Sequence, residues 1–254
     1  MIITVIKING VTKVYDTHHI LKGISLEVTK GEIIAILGKS GCGKSTLLKI
    51  VGGFETSSTG EVIVNDVAVT EPTKKCIMLM QSYGLLPWRS VEKNISLPLE
   101  QHTTLTVEQQ QQRIAHYMQL VQLTPYATHY PHQLSGGMQQ RVAIARALAL
   151  QPEAILLDEP FAALDTFTRY FLQDELIKIQ QQESTTIMLV THDIDEAIYL
   201  ADKIIILAEG EIAKEITIAL PKPRDRSNAD FQHYREVIFT EFELTQQQMI
   251  DYQI

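Results

Sequence analysis

Short runs of consecutive hydrophobic residues are spaced along the chain among segments with helical periodicity. Four runs have the length of buried strands, namely Ile33–Leu37, Ala154–Leu157, Thr186–Val190 and Lys203–Leu207. Continuous apolar runs of this length are typical of strands that are covered on both faces, as in a parallel sheet. Because helical patterns lie between them, the order predicts strand–helix units and an α/β fold with a mostly parallel sheet.

The pattern changes in residues 82–133. Val107–Leu123, "VEQQQQRIAHYMQLVQL", predicts an amphipathic helix with one apolar stripe, and no strand pattern interrupts the region. After residue 220 a proline-rich polar stretch precedes a further predicted helix. The predicted units are a domain of 1–220, with a sheet core of about 1–81 and 134–220 and a helical subdomain of about 82–133, followed by a C-terminal appendage of 221–254.

Composition and charge narrow the class of protein. The 254 residues are 45% hydrophobic, which is ample for a buried core, and carry a formal net charge of −8. Proteins that bind nucleic acids normally have a basic surface, and anionic lipid attracts basic segments. The acidic balance therefore argues against both partners, and we expect no nucleic-acid partner.

The N-terminal sequence and the number of cysteines favour an intracellular protein. The opening "MIITVIKING" alternates like a strand and lacks the basic start and long apolar core of a signal peptide. No apolar run approaches the roughly 20 residues that cross a bilayer. Cys42 and Cys76 are too few for a disulfide framework and are expected to be reduced thiols. The expectation is a soluble, intracellular chain without a transmembrane segment.

A glycine-rich loop follows the first buried strand. "GKSGCGKS" fits the pattern G-x-x-x-x-G-K-[ST], and a helical pattern follows it. The glycines let successive backbone N–H groups face phosphate oxygens at a helix N-terminus. Lys44 would reach the β- and γ-phosphates, and the Ser45 hydroxyl would bind Mg²⁺. The candidate phosphate-binding residues are Gly38, Lys39, Ser40, Gly41, Cys42, Gly43, Lys44, Ser45 and Thr46.

Polar side chains also follow two later strands. "AILLDEP" ends in Asp158 and Glu159, and "TIMLV" is followed by Thr191, His192 and Asp193. Ligands of parallel α/β sheets bind beyond the carboxyl ends of the strands, so these side chains suit the same γ-phosphate. Asp158 suits the hydration shell of Mg²⁺, and Glu159 suits acceptance of a proton from attacking water. Taken alone, an acid or a histidine at a strand end is more often ordinary polar surface.

Together with "LSGGMQQ" at 134–140, these motifs resemble the nucleotide-binding subunits of ATP-binding cassette (ABC) transporters through about residue 220. The resemblance implies an α/β P-loop NTPase (ABC ATPase) core with an inserted helical subdomain, which binds ATP and Mg²⁺. It makes "GKSGCGKS" the Walker A loop, "ILLDEP" the Walker B strand and "LSGGMQQ" the family signature. It also matches Gln81 to the Q-loop glutamine, Asp165 to the D-loop, His192 to the switch histidine and Tyr15 to the aromatic residue that stacks on adenine. The implied catalytic residues are Lys44, Gln81, Glu159 and His192, and those implied for Mg²⁺ are Ser45, Gln81 and Asp158.

The family arrangement gives the signature a role toward a second subunit. In ABC ATPases two subunits pack head to tail, and each ATP lies between one Walker A loop and the signature of the other subunit. Ser135, Gly136 and Gly137 would then bind the γ-phosphate held by a second copy of this chain, because one chain with one lysine-bearing loop needs no second phosphate-binding turn. The alternative is a glycine-rich helix start used only for packing. Met138 and Ala163 depart from the commonest family residues, glutamine and serine.

The segments "SYGLLPWRSVEKNISLPLE", "FAALDTFTR" and "LPKPRDR" are similar to the nitrate/sulfonate/taurine branch of bacterial importers. This similarity implies a peripheral subunit on the cytoplasmic face of the membrane, bound to transmembrane permease subunits that work with a separate substrate-binding protein. The cargo stays open, since importers of pyrimidine thiamine precursors are also similar. Trp88 is either a docking point for a permease subunit or a packing residue of its own loop.

Two other classes of protein share some of these features. Soluble ABC ATPases act in translation or DNA repair, but they usually carry two cassettes or a long coiled-coil insertion. A small-molecule P-loop kinase would not need "LSGGMQQ". The sequence therefore favours the importer subunit over both.

Overall fold

The structure is a computed structural model that describes residues 3–80, 83–100, 104–162 and 164–251, with side chains described as far as residue 243. The strands are β1 (Thr4–Tyr15), β2 (His18–Thr29), β3 (Ile33–Leu37), β4 (Thr59–Val64), β5 (Val67–Ala68), β6 (Cys76–Leu79), β7 (Ala154–Asp158), β8 (Thr186–Thr191), β9 (Lys203–Ala208) and β10 (Glu211–Thr217). The α-helices are α1 (Lys44–Val51), α2 (Val91–Ser96), α3 (Val107–Leu120), α4 (Gly136–Leu148), α5 (Thr166–Glu183), α6 (Ile194–Leu200) and α7 (Ala229–Asp251). Short 3-10 helices lie at Leu97–Leu99, Thr124–Tyr126 and Pro131–Gln133.

A six-stranded sheet confirms the predicted parallel architecture. Its order is β10-β9-β3-β8-β7-β6, and only the pairing of β10 with β9 is antiparallel among the described strands of this sheet. The four predicted strands are β3, β7, β8 and β9, and the last three each extend one residue past the predicted run. In β7 and β8 the extra residue is polar, Asp158 or Thr191, so the hydrophobic pattern ends before the backbone pairing does.

A second, antiparallel sheet has the order β2-β1-β4-β5. The sequence pattern predicts only the first of its strands, because the alternation in β2 is interrupted and β5 has two residues. In this sheet β1 pairs with both β2 and β4. The sheet places Tyr15, at the end of β1, above the start of α1.

The central strand β3 is buried at all five residues. Ile33, Ala35 and Leu37 point into the core shared with the helices, whereas Ile34 and Ile36 point into the core beneath the antiparallel sheet and α1. Both faces of β3 are covered, so every side chain in it must be apolar. The glycine-rich loop leaves the sheet from the carboxyl end of this strand.

The predicted helical region is helical within its described residues, with α2 and α3 packed against each other and against α4. A capping box between Thr106 and Gln109 starts α3. The helix ends at Leu120 rather than at the predicted Leu123, because Gln122 adopts a φ of 57° that breaks the helical path. The division of the chain at about 81 and 134 stays a prediction. No helix within the described ranges has the length and apolar character needed to span a membrane.

Residues after 220 cover part of the hydrophobic core that lies between the six-stranded sheet and the helices. Phe231 and Ile238 of α7 are buried in the cluster that also contains side chains of β3. Arg224 is 5% exposed and donates to the carbonyl oxygens of Ile198 and Ala201 at the end of α6. The predicted appendage is therefore attached by apolar packing and by a buried guanidinium, and its independence as a unit stays a prediction.

Candidate functional site

The candidate site lies at the carboxyl edge of the six-stranded sheet. The last residue of β3 pairs with Thr191 of β8, and Asp158 at the end of β7 pairs with Val190. The glycine-rich loop and the side chains of Glu159 and His192 therefore leave neighbouring strands at one edge. This is the placement that ligands of parallel α/β sheets require.

The glycine-rich loop needs glycine at two positions for steric reasons. A Cβ atom on Gly38 would lie 2.4 Å from the carbonyl oxygen of Leu207. At Gly43 φ is 104°, and a Cβ atom would lie 2.9 Å from the carbonyl oxygen of Ile20. Gly43 begins α1 without a side-chain cap, so the first N–H groups of the helix stay available to an anion.

Lys44 brings a positive charge into this loop. The residue is 5% exposed, and its Nζ donates to the carbonyl oxygens of Gly38 and Lys39 at 2.7 Å each. Both acceptors are neutral and therefore do not cancel the charge. A buried cation is stabilised strongly by an anionic partner, and a phosphate in the loop would supply one.

Ser45 and Asp158 lie together, as the sequence predicts for a Mg²⁺ site. The Ser45 hydroxyl donates to Asp158 Oδ1 at 2.9 Å. This contact joins the first turn of α1 to the end of β7, across 113 residues of sequence. Hard oxygen donors of this kind are the ligands that Mg²⁺ prefers.

Glu159 and His192 form the second pair at this edge. His192 Nδ1 lies 3.3 Å from Glu159 Oε1, and the two side chains are 64% and 33% exposed, respectively. Glu159 adopts a φ of 46°, which is unusual for a residue with a side chain, and its N–H donates to the Val190 carbonyl at 3.0 Å. Backbone strain of this kind concentrates at functional sites. The arrangement presents a carboxylate and an imidazole to the solvent beside the glycine-rich loop.

An open cleft of about 260 Å³ lies against Lys44, Ser45 and Glu159. Tyr15 is 43% exposed at one end of it, and Lys13 Nζ lies 4.7 Å from the centre of its ring. The half-buried Cys42 has a thiol whose pKa is raised by burial, so the thiol is neutral near pH 7 and adds no negative charge to the loop. The cleft is lined by Tyr15, Ile20, Ser40, Gly41, Gly43, Lys44, Ser45, Thr46 and Glu159.

The second glycine turn does not contribute to this cleft. Ser135 caps α4 by accepting a hydrogen bond from the Met138 N–H at 3.3 Å. Gly136 is exposed, and a Cβ atom there would have no neighbour closer than 3.7 Å. Gly137 is buried, and a Cβ atom there would lie 2.6 Å from Cγ2 of Thr168 in α5. Packing within one chain thus accounts for glycine at 137, but it does not account for glycine at 136.

Asp165 has a local structural role. It caps α5 by accepting from the Thr168 N–H at 3.1 Å. Hydrogen bonds from the Thr168 side chain and then from its backbone N–H lower the pKa of the carboxyl group. Gln81 and Ala163 lie outside the described residues.

Sequence reasoning missed the contacts that hold the turn after β8. Arg169 Nη1 donates to Asp193 Oδ2 at 3.1 Å, and Asp193 Oδ1 accepts from the Glu196 N–H at 3.0 Å. Asp followed three residues later by Glu is a sequence signal for a helix start and could have identified this cap. The pairing with Arg169 has no local signal, because the two residues meet only in the folded chain.

Trp88 does not pack into its own loop. Its exposed fraction is 71%, the second highest among the large hydrophobic residues described. The fully buried Asn94 holds the loop by donating to the carbonyl oxygens of Leu86, Arg89 and Ser90. An ordered loop therefore presents an exposed indole.

Comparisons with a family model, with curated proteins and with solved structures all find ATP-binding proteins of ABC transporters or ATP-binding cassettes. A family model described as ABC transporter matches residues 21–162. An aliphatic sulfonates import ATP-binding protein of Bacillus cereus is 42% identical over 94% of this chain and 96% of its own length. A nitrate import ATP-binding protein of Synechococcus elongatus is 42% identical over 81% of this chain and 77% of its own. Among solved structures, the ATP-binding cassette MJ0796, a dimer in a post-hydrolysis state bound to ADP and phosphate, has a TM-score of 0.73 and 34% identity over 85% of this chain and all of its own.

Proposed function

The chain belongs to the ABC transporter family as an ATP-hydrolysing import subunit, and on this premise we propose that a homodimer of it drives uptake of nitrate, a sulfonate, taurine or a related small solute. The relatives that carry this proposal are named for import of aliphatic sulfonates and nitrate and for transport of bicarbonate. All three cargos are small and carry an anionic group. Whichever solute is imported, its specificity would come from the permease and a separate substrate-binding protein.

The observation that carries the ATPase site is the meeting of Lys44, Ser45 and Asp158 at one sheet edge. In the proposal the glycine-rich loop and Lys44 bind the β- and γ-phosphates, and Tyr15 stacks on adenine. Ser45 and Asp158 would hold Mg²⁺, with Gln81 as a further ligand. The Ser45 and Asp158 oxygens are 2.9 Å apart, so hard oxygen donors of the kind that Mg²⁺ prefers already lie together. The ion would neutralise phosphate charge during hydrolysis.

Glu159 and His192 supply the remaining chemistry in this proposal. Glu159 lines the cleft and would accept a proton there from the attacking water. His192, 3.3 Å from Glu159, would hold that carboxylate and contact the γ-phosphate.

A second copy of the chain would complete each site. Ser135 and Gly136 are exposed and line no part of the cleft in their own chain. The N-terminus of α4 can nevertheless offer backbone N–H groups and a hydroxyl to an anion. We therefore assign the Ser135–Gly137 turn to the ATP held by the partner, in a head-to-tail dimer.

The proposed location is the cytoplasmic face of the membrane, with Trp88 docked on a permease subunit. An exposed tryptophan on an ordered loop is a typical anchor of a protein interface. A soluble ABC ATPase of translation or DNA repair is not favoured, since relatives named for import match most of the chain.

Uptake by cells that express the chain with its permease and binding protein tests this function. We expect ATP-dependent accumulation of labelled nitrate, taurine or an alkanesulfonate, and none with Lys44→Ala. Full ATPase activity without uptake of any such solute, and recovery of the chain with ribosomes instead of membranes, would refute the importer and leave the ATPase assignment intact.

A further inference from the structure

Glu196 is a buried acid that the proposed catalytic residues do not include. It lies in α6, is 5% exposed, and its Oε1 has no hydrogen-bond partner in the described part of the chain. The pKa of Glu196 is raised to about 7, mainly by burial, and the nearby Asp193 carboxylate acts in the same direction. The Thr191 hydroxyl, the Arg169 guanidinium and the Gln173 amide act in the opposite direction. Burying a carboxyl group costs solvation free energy, so the contacts of Glu196 are candidates for a function.

On one side, Glu196 is connected to the C-terminal segment through a single amide. Gln173 of α5 is 1% exposed, and its Nε2 donates to Glu196 Oε2 at 3.3 Å. The Oε1 atom of the same amide accepts a hydrogen bond from Arg226 Nη2. An amide can donate and accept at the same time, so Gln173 transmits the position of Arg226 to Glu196.

Arg226 is itself fixed between two aromatic rings. The guanidinium carbon lies 3.9 Å from the centre of the Tyr170 ring and 3.5 Å from that of Tyr199. A planar guanidinium stacks well on aromatic faces, and two rings restrict it from both sides. Arg226 therefore clamps α5 and α6 together from a segment beyond the sheet.

On its other side, Glu196 faces the turn that carries His192. Thr191 is 3% exposed, and its Oγ1 accepts from the Asp193 N–H at 3.0 Å, which closes the turn around His192. The Thr191 hydroxyl also lies within hydrogen-bonding reach of the Glu196 carboxyl group, and the Glu196 N–H donates to Asp193 Oδ1 at 3.0 Å. Because the His192 side chain is 64% exposed, little packing fixes its orientation, and the backbone beneath it must do so.

We propose that Arg226, Gln173 and Glu196 are positioning residues that hold the Thr191–Asp193 turn and so aim His192 at Glu159. The inference rests on the proposed role of His192 in ATP hydrolysis. It gives the C-terminal segment a function in the reaction, since Arg226 belongs to that segment. None of the three positioning residues lines the nucleotide cleft.

We call the chain of contacts from Arg226 through Gln173 to Glu196 the relay. The full-length protein with Arg226→Met tests it, and Gln173→Met is a second variant in case the first does not fold. Arg235→Met is the matched control. Arg235 of α7 pairs at 3.0 Å with Asp195, which lies in α6 beside Glu196. The Arg235 side chain is 53% exposed and shares no described hydrogen bond or ion pair with Arg226, Gln173 or Glu196. We expect both relay variants to lower kcat by about fivefold or more with little change in KM for ATP, as for coupled residues of one network. The control should keep the wild-type kcat.

A second comparison separates positioning from stability. In a His192→Ala background, measured by single turnover, Arg226→Met should cause no further loss of rate, because its effect acts through His192. The imidazole NMR signals of His192 should shift in Arg226→Met and stay unchanged in Arg235→Met. An equal loss in both backgrounds, or unchanged His192 signals, would overturn the relay.

The same measurements also test the role of His192. A wild-type rate in His192→Ala would remove the proposed function of His192 and the relay with it. A large loss in His192→Ala together with wild-type kcat in Arg226→Met and Gln173→Met would overturn the relay alone.

Discussion

Two regions of this chain are proposed to bind phosphate, and within a single chain only one of them forms a cleft. The Walker A edge consists of Gly38–Thr46 with Asp158, Glu159 and His192, and in it Lys44 is buried and Ser45 already contacts Asp158. The signature turn, Ser135–Gly137, is exposed at its first two residues and lines no part of that cleft.

The two regions differ in exposure because one contains a full charge, on Lys44, and the other contains the N-terminus of helix α4. Burial of a charge such as that of Lys44 is costly unless fixed partners compensate for it, and the loop supplies the carbonyl oxygens of Gly38 and Lys39. A helix N-terminus carries only partial charge and tolerates exposure until a ligand arrives. The proposed head-to-tail dimer would bring the exposed turn to the buried edge.

The largest expected effect comes from removing the charge of the Walker A edge. Lys44→Ala should reduce ATP turnover by about 10²-fold or more, because a preorganised electrostatic contact to the phosphates is lost. Steady-state ATPase assays on purified protein measure this, and Lys44→Arg serves as the variant that keeps the charge. Turnover at the wild-type rate in Lys44→Ala would remove the site assignment.

A mixed dimer tests whether the signature turn serves the other subunit. Ser135→Arg and Glu159→Gln proteins should each be nearly inactive alone. Mixed, they form one site with a sound Walker A edge, Glu159 and signature, while the opposite site carries both defects. Single-turnover ATPase of the mixture should therefore exceed the sum of the two preparations.

Two checks make the mixed-dimer result decisive. Differential tags must confirm that mixed dimers form, and Ser135→Ala distinguishes the loss of the α4 cap, about 1 kcal/mol, from the bulk of arginine. If the two residues served the same site in one chain, every site would contain a lesion and no gain would be seen.

A smaller effect is expected at Trp88, on a surface that serves neither phosphate. Trp88→Ala should weaken binding to the permease subunits about thirtyfold, which corresponds to about 2 kcal/mol for an aromatic anchor. Co-purification from detergent-solubilised membranes measures this, and the isolated subunit should keep its ATPase rate and melting temperature. A lowered melting temperature would instead mean that Trp88 packs in the folded chain.

The smallest expected effect distinguishes the two glycines of the signature turn. Gly137→Ala should lower the free energy of unfolding by about 1 kcal/mol, because overlap of its Cβ atom with Thr168 outweighs the higher helix propensity of alanine. Gly136→Ala is the matched control and should not lower stability, since the nearest neighbour of its Cβ atom would be 3.7 Å away and alanine favours the helix. Urea denaturation compares them, and equal losses would contradict the open surface at 136.

Much of the Walker A edge, the candidate ATPase site, could be predicted from sequence because its signals are local. An apolar run, a glycine pattern and acids after a strand each reflect the requirements of one segment, and strand pairing then brings Ser45 and Asp158 together. The same local logic identified β3, β7, β8 and β9 from their uninterrupted hydrophobic runs.

Tertiary structure alone decided the features that depend on distant contacts. The antiparallel sheet rests on register between β1, β2 and β4, which short interrupted patterns do not specify. The packing of Gly137 on Thr168 and the stacking of Arg226 between Tyr170 and Tyr199 join segments that are far apart in the chain. A local pattern records what one segment must bury or expose, but it does not record which distant side chain will meet it, because that partner is chosen only when the layers pack.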